Sequence, residues 1–228
     1  MARAAQATGV RELRREAFLD VAQRLIQSKG YEQMTVQDVL DALDASRGAF
    51  YHYFDSKVAL LEAVVERTAI QGTEAVAPVV ADPNLTAVEK LTHLFSGIAS
   101  YKAERKELML ALLEVWYSDD NALVRDKLRQ SSGTLLGPLL ASILRQGKAE
   151  GVFSVSSPED SAHVLLWLLQ GAQDLAGELF FARQANTITY ESVQGRLAAY
   201  QDAMERVLGV PAGALSLVDE ATLREWFG

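Results

Sequence analysis

Residues 34–57 read "MTVQDVLDALDASRGAFYHYFDSK", and the order of caps, apolar spacings and turn residues in this stretch decides the fold. Thr35-Val36-Gln37-Asp38 has the Thr-x-x-acid form of a capping box, so a helix opens after Thr35. Val36, Val39, Leu40 and Leu43 give it one inner face, and it stops near Leu43. Asp44-Ala45-Ser46 makes a turn, and Ser46 caps a third helix running to about Phe54. At about 100° per residue, Phe50, Tyr53 and Phe54 fall on one side of that helix, with Gly48, Tyr51 and His52 on the other. A glycine inside a helix costs about 1 kcal/mol relative to alanine, which is reasonable where a Cβ would obstruct a close partner. Asp55-Ser56-Lys57 ends this helix and starts the next near Lys57. Two short helices joined by a tight turn, the second with a polar outer face, form a helix-turn-helix.

Residues 34–65 resemble the DNA-binding domain of the TetR/AcrR family of transcriptional regulators. The resemblance is carried by Thr35, the Val36-x-x-Val39 pair, Ser46, Gly48, Ala49, the run Tyr51-His52-Tyr53-Phe54 and Ser56-Lys57. It extends over about residues 11–65; beyond that, length and helical texture alone agree. Asp44 stands where the family usually has glycine, Leu40 fills a slot usually held by alanine, and Ala45 precedes Ser46. Aspartate tolerates the left-handed region better than most residues, so the turn is expected to survive. The resemblance implies an all-α chain: an N-terminal three-helix helix-turn-helix DNA-binding domain over 1–56, and a C-terminal helical ligand-binding and dimerisation bundle over 57–228.

Groove chemistry distributes the roles. Phosphate contacts position a protein on a duplex and base contacts specify sequence. Tyr51, His52 and Lys57 suit phosphates, as the resemblance also implies, and Thr35 suits a second backbone position. Arg47 is the candidate for base readout, because a guanidinium takes guanine O6 and N7 together. Ser46 and Gln37 are weaker candidates. Gly48 and Ala49 belong to the same face through the resemblance. Arg14 and Arg15 add phosphate contacts, unless they merely pair with nearby acids.

Outward from this core, Leu13, Ala17, Val21 and Leu25, with Phe18, Ala22 and Ile26 beside them, predict a first helix over Arg11–Lys29, with Gly30 as its C-cap. Downstream, helices are expected at about 57–80, 85–103, 105–117, 120–150, 158–183 and 189–208. Pro83, Pro158 and Pro211 punctuate them and Asn186 falls in a loop. Gly133–Pro138 is expected to kink or interrupt the long helix at 120–150. A last amphipathic turn or two is expected around Leu223, Trp226 and Phe227. No alternating run of strand length competes.

The net charge of −8 looks wrong for a nucleic-acid binder until it is mapped. Residues 1–60 hold eight basic and eight acidic side chains; the remaining fourteen basic and twenty-two acidic residues carry the whole excess. Before Phe18, Arg3, Arg11, Arg14 and Arg15 meet only Glu12 and Glu16. Such a head can still dock on phosphate in one orientation.

In the C-terminal half, the segment 160–183 is apolar most of the way round, and such a helix must be covered on several sides. Leu165, Leu168, Leu169, Ala172, Leu175, Ala176 and Leu179 on it, with Val193, Leu197, Tyr200 and Met204 on the next helix, are expected to form a four-helix homodimer interface, as the resemblance implies; a purely intramolecular core is the alternative. A small-molecule pocket is expected among helices 57–183. Phe95, Tyr101, Met109, Leu113, Trp116, Tyr117, Trp167, Gln170 and Gln173 are its candidate lining, each of which plain core packing also explains.

Several chemistries are excluded. The absence of cysteine rules out disulfides and thiolate metal sites and is compatible with a reducing cytoplasm. His93 and His163 lack a metal-spaced companion, so no metal or cofactor is expected. Asp119-Asp120 reads as a helix cap rather than a catalytic pair. Nucleotide-binding, hydrolase and metalloprotease motifs are missing, so no enzyme activity is expected. No apolar run reaches the roughly 20 residues of a membrane span. The combined expectation is a ligand-responsive repressor that binds a near-palindromic DNA operator as a dimer and is released by a hydrophobic or aromatic effector. A ligand-binding or assembly protein with a disused DNA head, or an activator, is the alternative.

Overall fold

The computed structural model describes residues 2–116, 122–216 and 218–228. Tyr117, Asp119 and Asp120 lie outside the described residues. The described chain is all-α: α1 (Ala2–Lys29), α2 (Val36–Leu43), α3 (Arg47–Tyr51), α4 (Lys57–Ala81), α5 (Ala87–Ala103), α6 (Lys106–Trp116), α7 (Ala122–Ala149), α8 (Pro158–Gln184), α9 (Tyr190–Leu208) and α10 (Glu220–Phe227).

The first helix begins at Ala2 rather than at Arg11. Its early residues are rich in alanine, which favours helix strongly but leaves no apolar stripe to read. The helix ends at Gly30, whose φ of +80° is the left-handed cap expected there. The long helix over 122–149 is continuous through Pro138, so the expected interruption does not occur. Proline removes one helical donor, leaving the Thr134 carbonyl without its i+4 partner, and one such loss is tolerated in a long helix anchored in the core by Leu140, Ile143 and Leu144.

The chain divides into two compact units. One comprises residues 1–69 and 105–128, the other residues 70–104 and 129–228. The boundary expected at residue 57 thus falls inside the first unit, which also takes in α6. In that unit the core is Phe18, Leu19, Ala22, Ile26, Val39, Leu40, Phe50 and Phe54, joined by Leu60, Leu61 and Val64 of α4 and Leu108 and Val115 of α6. The second unit has a main core of Leu91, Leu94, Leu140, Ile143, Leu144, Leu165, Met204 and Leu208. Its smaller cluster of Leu179, Val193 and Phe227 is where the C-terminal helix docks.

The second unit packs closely where side chains are absent. A Cβ on Gly147 would lie 2.0 Å from the Phe153 ring, so this glycine has a packing role. Glu205, only 3% exposed, accepts from the backbone N–H groups of Gly213 and Leu215 at 3.0 Å each and pins the chain beyond α9.

Candidate nucleic-acid interface

The helix-turn-helix is built as its local chemistry dictates. Thr35 Oγ1 accepts the Asp38 N–H at 3.1 Å, and Asp38 Oδ2 accepts the Thr35 N–H at 2.7 Å, closing the capping box. Lys29 reaches the same Asp38 oxygen at 2.6 Å. The lysine and threonine donors together hold the Asp38 carboxyl well below the usual carboxylate range. Asp44 takes φ 47°, ψ 48°, the left-handed conformation required of the turn. Ser46 caps α3 by accepting the Ala49 N–H at 3.2 Å.

Aromatic packing then fixes which way α3 faces. Phe50 and Phe18 are fully buried and meet edge to face at 5.9 Å between ring centroids. Phe54 completes the cluster, 6.0 Å from Phe18 and 5.7 Å from Phe50. Edge-to-face pairs add specificity to the hydrophobic gain of burying such rings. With that side anchored on α1, Arg47, Gly48, Tyr51 and His52 are exposed to solvent. Regular helix ends at Tyr51, earlier than expected, and the chain tightens through Phe50 carbonyl bonds to Tyr53 and Phe54 before α4 begins.

Gly48 is informative because nothing among the described residues requires it. A Cβ there would meet only Ser46 Oγ, at 3.9 Å. Intramolecular packing therefore leaves room for alanine.

The other expected contacts divide into open and engaged groups. Arg47 and Arg14 are exposed, with no partner among the described residues. Tyr51 is 54% exposed. Ala49 is half-buried beneath them. The Thr35 hydroxyl donates to Asp38 Oδ2 at 2.6 Å, so in this conformation it has no proton left for a phosphate. Gln37 donates to Asp41 at 2.7 Å. The Lys57 ammonium lies 4.1 Å over the Tyr31 ring and donates to the Glu32 carbonyl at 3.2 Å. Arg15 lies over the Phe54 ring at 5.7 Å and near Glu16 at 3.6 Å.

Two interactions were not anticipated from sequence. Arg11 Nη2 lies 3.0 Å from His52 Nε2, joining α1 to the end of α3. Arg67 on α4 donates to Asp20 at 2.7 Å, to Glu16 at 3.0 Å and to Gln23 at 2.8 Å, all on α1. These pairs are polar and 41–51 residues apart in sequence, so no local periodicity reveals them.

The expected pocket residues do not gather on one unit. Met109, Leu113 and Trp116 belong to the first unit, where Met109 packs on its core. Phe95, Tyr101, Trp167, Gln170 and Gln173 belong to the second. Phe95 and Tyr101 are buried there, and the Tyr101 ring covers Gly72 and donates its hydroxyl proton to Gln71 at 3.2 Å. Gln170 is half-buried and donates to the Arg129 carbonyl at 3.1 Å. Gln173 is exposed, and Trp167 is 62% exposed and donates its indole N–H to His163 at 3.0 Å. Both are exposed on α8 within the single chain.

The expected dimer residues also separate by face. Leu165, Leu179, Val193 and Met204 are each at most 2% exposed within this single chain, so they belong to its own core. Leu168, Leu169, Leu175, Ala176, Leu197 and Tyr200 are half-buried against the cores of the second unit, and Ala172 is half-buried beside them. Val164 and Trp167 are the large apolar side chains left exposed on α8. Periodicity alone does not separate these faces, since apolar residues surround the helix.

The family model described as "Bacterial regulatory proteins, tetR family" matches residues 18–64, which contain the capping box, the turn and the aromatic anchor. The HTH-type transcriptional regulator EthR of Mycolicibacterium smegmatis is 28% identical over 128 residues, 49% of this chain and 59% of that protein. The chain thus spans less than two thirds of that relative's length. BetI of Cronobacter sakazakii is 26% identical over 195 residues, 83% of this chain and 94% of BetI. Among solved structures, Thermus thermophilus FadR, a TetR-family repressor crystallised with lauroyl-CoA, aligns with a TM-score of 0.58 at 26% identity, covering 85% of this chain and 92% of FadR. A matching helix-turn-helix, a sequence relative aligned over most of the chain and a like-folded structure agree: residues 18–64 match the tetR family of bacterial regulatory proteins, and the chain as a whole is similar to HTH-type and TetR-family transcriptional regulators.

Proposed function

We propose that the protein is a ligand-responsive repressor that binds a near-palindromic DNA operator as a homodimer. The observation that carries this reading is the outward face of α3. An aromatic cluster anchors one side, while Arg47, Gly48, Tyr51 and His52 face solvent around a glycine that internal packing does not need. A Cβ-free surface flanked by hydrogen-bond donors suits close approach to a groove.

Arg47 reads base edges, and Tyr51 and His52 position the head on phosphates. Lys57 and Thr35 join them only by leaving their present partners. Arg14 adds a long-range attraction that salt screens. Dimerisation uses the half-buried strip of α8 and α9 together with exposed Val164 and Trp167.

The effector is a hydrophobic or aromatic small molecule, by analogy with the lauroyl-CoA bound to FadR. It binds the second unit and acts through α4, whose residues 57–69 belong to one unit and 70–81 to the other. An effector releases DNA only by binding the non-DNA shape more tightly, a coupling that is typically about 1–3 kcal/mol.

Selection of duplexes from a random-sequence pool by the purified protein, followed by sequencing and mobility shift, tests the proposal. A recovered inverted repeat, bound with strong salt dependence, is expected. A folded protein that enriches no sequence and shifts no duplex at low salt contradicts it. The alternative of a binding protein with a disused DNA head draws on the neutral charge of residues 1–60. Substitution of Arg47 and Lys57 separates the two: a regulator loses DNA binding and keeps its ligand, whereas a disused head shows no DNA binding to lose.

A further inference from the structure

Arg11 comes from α1, outside the helix-turn-helix, yet its guanidinium reaches His52 Nε2 at 3.0 Å. The chemistry of this contact has one solution. A guanidinium has donors and no acceptor, so the imidazole nitrogen facing it must carry the lone pair. His52 is therefore the neutral ring with its proton on Nδ1. That second nitrogen has no partner among the described residues, and the side chain is exposed at the end of α3. The Tyr53 ring stands edge to face against the imidazole, with centroids 4.9 Å apart, and restrains the plane of the ring.

We propose that Arg11 is a positioning residue for DNA recognition: it holds His52 in the Nδ1–H tautomer and leaves that N–H to donate to a backbone phosphate. The proposal rests on the DNA-binding reading above and deepens it. The pair does what a lone histidine does not: it presents a donor of defined direction without first breaking an internal bond, unlike Thr35 and Lys57. Arg11 donates and Nε2 accepts.

The test combines a spectroscopic and a thermodynamic readout. Ring-nitrogen NMR on the free wild-type protein near neutral pH is expected to show His52 in the Nδ1–H tautomer; Arg11→Met is expected to lose that single-tautomer signature. Affinity is then measured for a duplex enriched by the wild-type protein from a random pool, using wild type, Arg11→Met, His52→Ala and the double variant. Each single substitution is expected to weaken binding roughly tenfold, the scale of one hydrogen bond to a charged group. The double variant is expected to bind no more weakly than the worse single one, because both remove one contact. Arg11 is exposed, and unchanged thermal unfolding serves as the folding control. Multiplying losses, on the order of a hundredfold in the double variant, make Arg11 an independent phosphate contact and overturn the positioning role. An Nε2–H tautomer in the wild type, or full affinity in Arg11→Met, also overturns it. If the tautomer is present but the wild type enriches no duplex, the functional reading fails, and with it the DNA role of the pair.

Discussion

Arg67 on α4 donates to Asp20 on α1 at 2.7 Å, and the same nitrogen lies 3.0 Å from Glu16. Arg67 is 12% exposed on its side chain, whereas its carboxylate partners are largely solvated. The arginine therefore bears most of the desolvation cost and depends on its partners more than they depend on it. Its Nε is buried without a partner, which adds to that cost.

Replacing Arg67 with alanine is expected to lower the unfolding free energy by roughly 1–3 kcal/mol, the range for charge-assisted bonds at a part-buried site. Asp20→Ala is expected to cost less, since Glu16 and Gln23 still accept. Chemical denaturation of the two variants, compared at constant m-value, measures the difference. Equal losses would mean that Arg67 does not link the helices in the way the distances imply.

The capping box makes a second prediction. Thr35→Ala removes the acceptor for the Asp38 N–H and one of the donors to its carboxylate. A lost N-cap typically costs about 1 kcal/mol. The Asp38 carboxyl is held low in the folded protein, so its contribution is present above the ordinary carboxylate range and is lost as pH falls through the folded value. Thermal unfolding from pH 7 downward should therefore show a steeper acid loss for the wild type than for Thr35→Ala.

Tyr31 makes the opposite prediction at high pH. Burial first, then the charges of Glu32 and Glu62, push its phenol from the ordinary 10 up to about 12. The folded state favours the neutral phenol, so its contribution is complete below pH 10 and declines as pH rises from there to about 12. Tyr31→Phe keeps the ring that Lys57 covers and removes the titrating group. The variant is expected to lose less stability than the wild type across that window, by about 1–3 kcal/mol. Denaturation curves at alkaline pH that run parallel for the two proteins would contradict it.

How far these features were legible in the sequence depends on whether their signal is local. Thr35-x-x-Asp38, Ser46 and the Phe50/Tyr53/Phe54 spacing are local, and they placed α2, α3 and the start of α4. The direction of the α3 face followed from the same spacing. Ala2–Lys29 was only partly visible, because alanine stabilises a helix without marking a face. The Arg67 cluster and the Arg11–His52 pair were invisible, because polar residues far apart in sequence carry no periodicity. Leu165 and Met204 were legible as apolar but not as core rather than interface, since a helix apolar on all sides does not show which side its own chain covers. Trp167, expected in the pocket, is exposed in the single chain, since aromatic character does not distinguish an inner from an outer face.

The most direct test of the central claim, that the outer face of α3 meets DNA, is the Gly48→Ala substitution measured for both stability and duplex binding. An added Cβ finds only Ser46 Oγ at 3.9 Å inside the chain, and alanine is the better helix former by up to about 1 kcal/mol. The account predicts an unfolding temperature equal to or above that of the wild type together with at least roughly tenfold weaker binding to the selected duplex, since an obstructed contact costs more than about 1.4 kcal/mol. Wild-type affinity in a folded Gly48→Ala protein would contradict it.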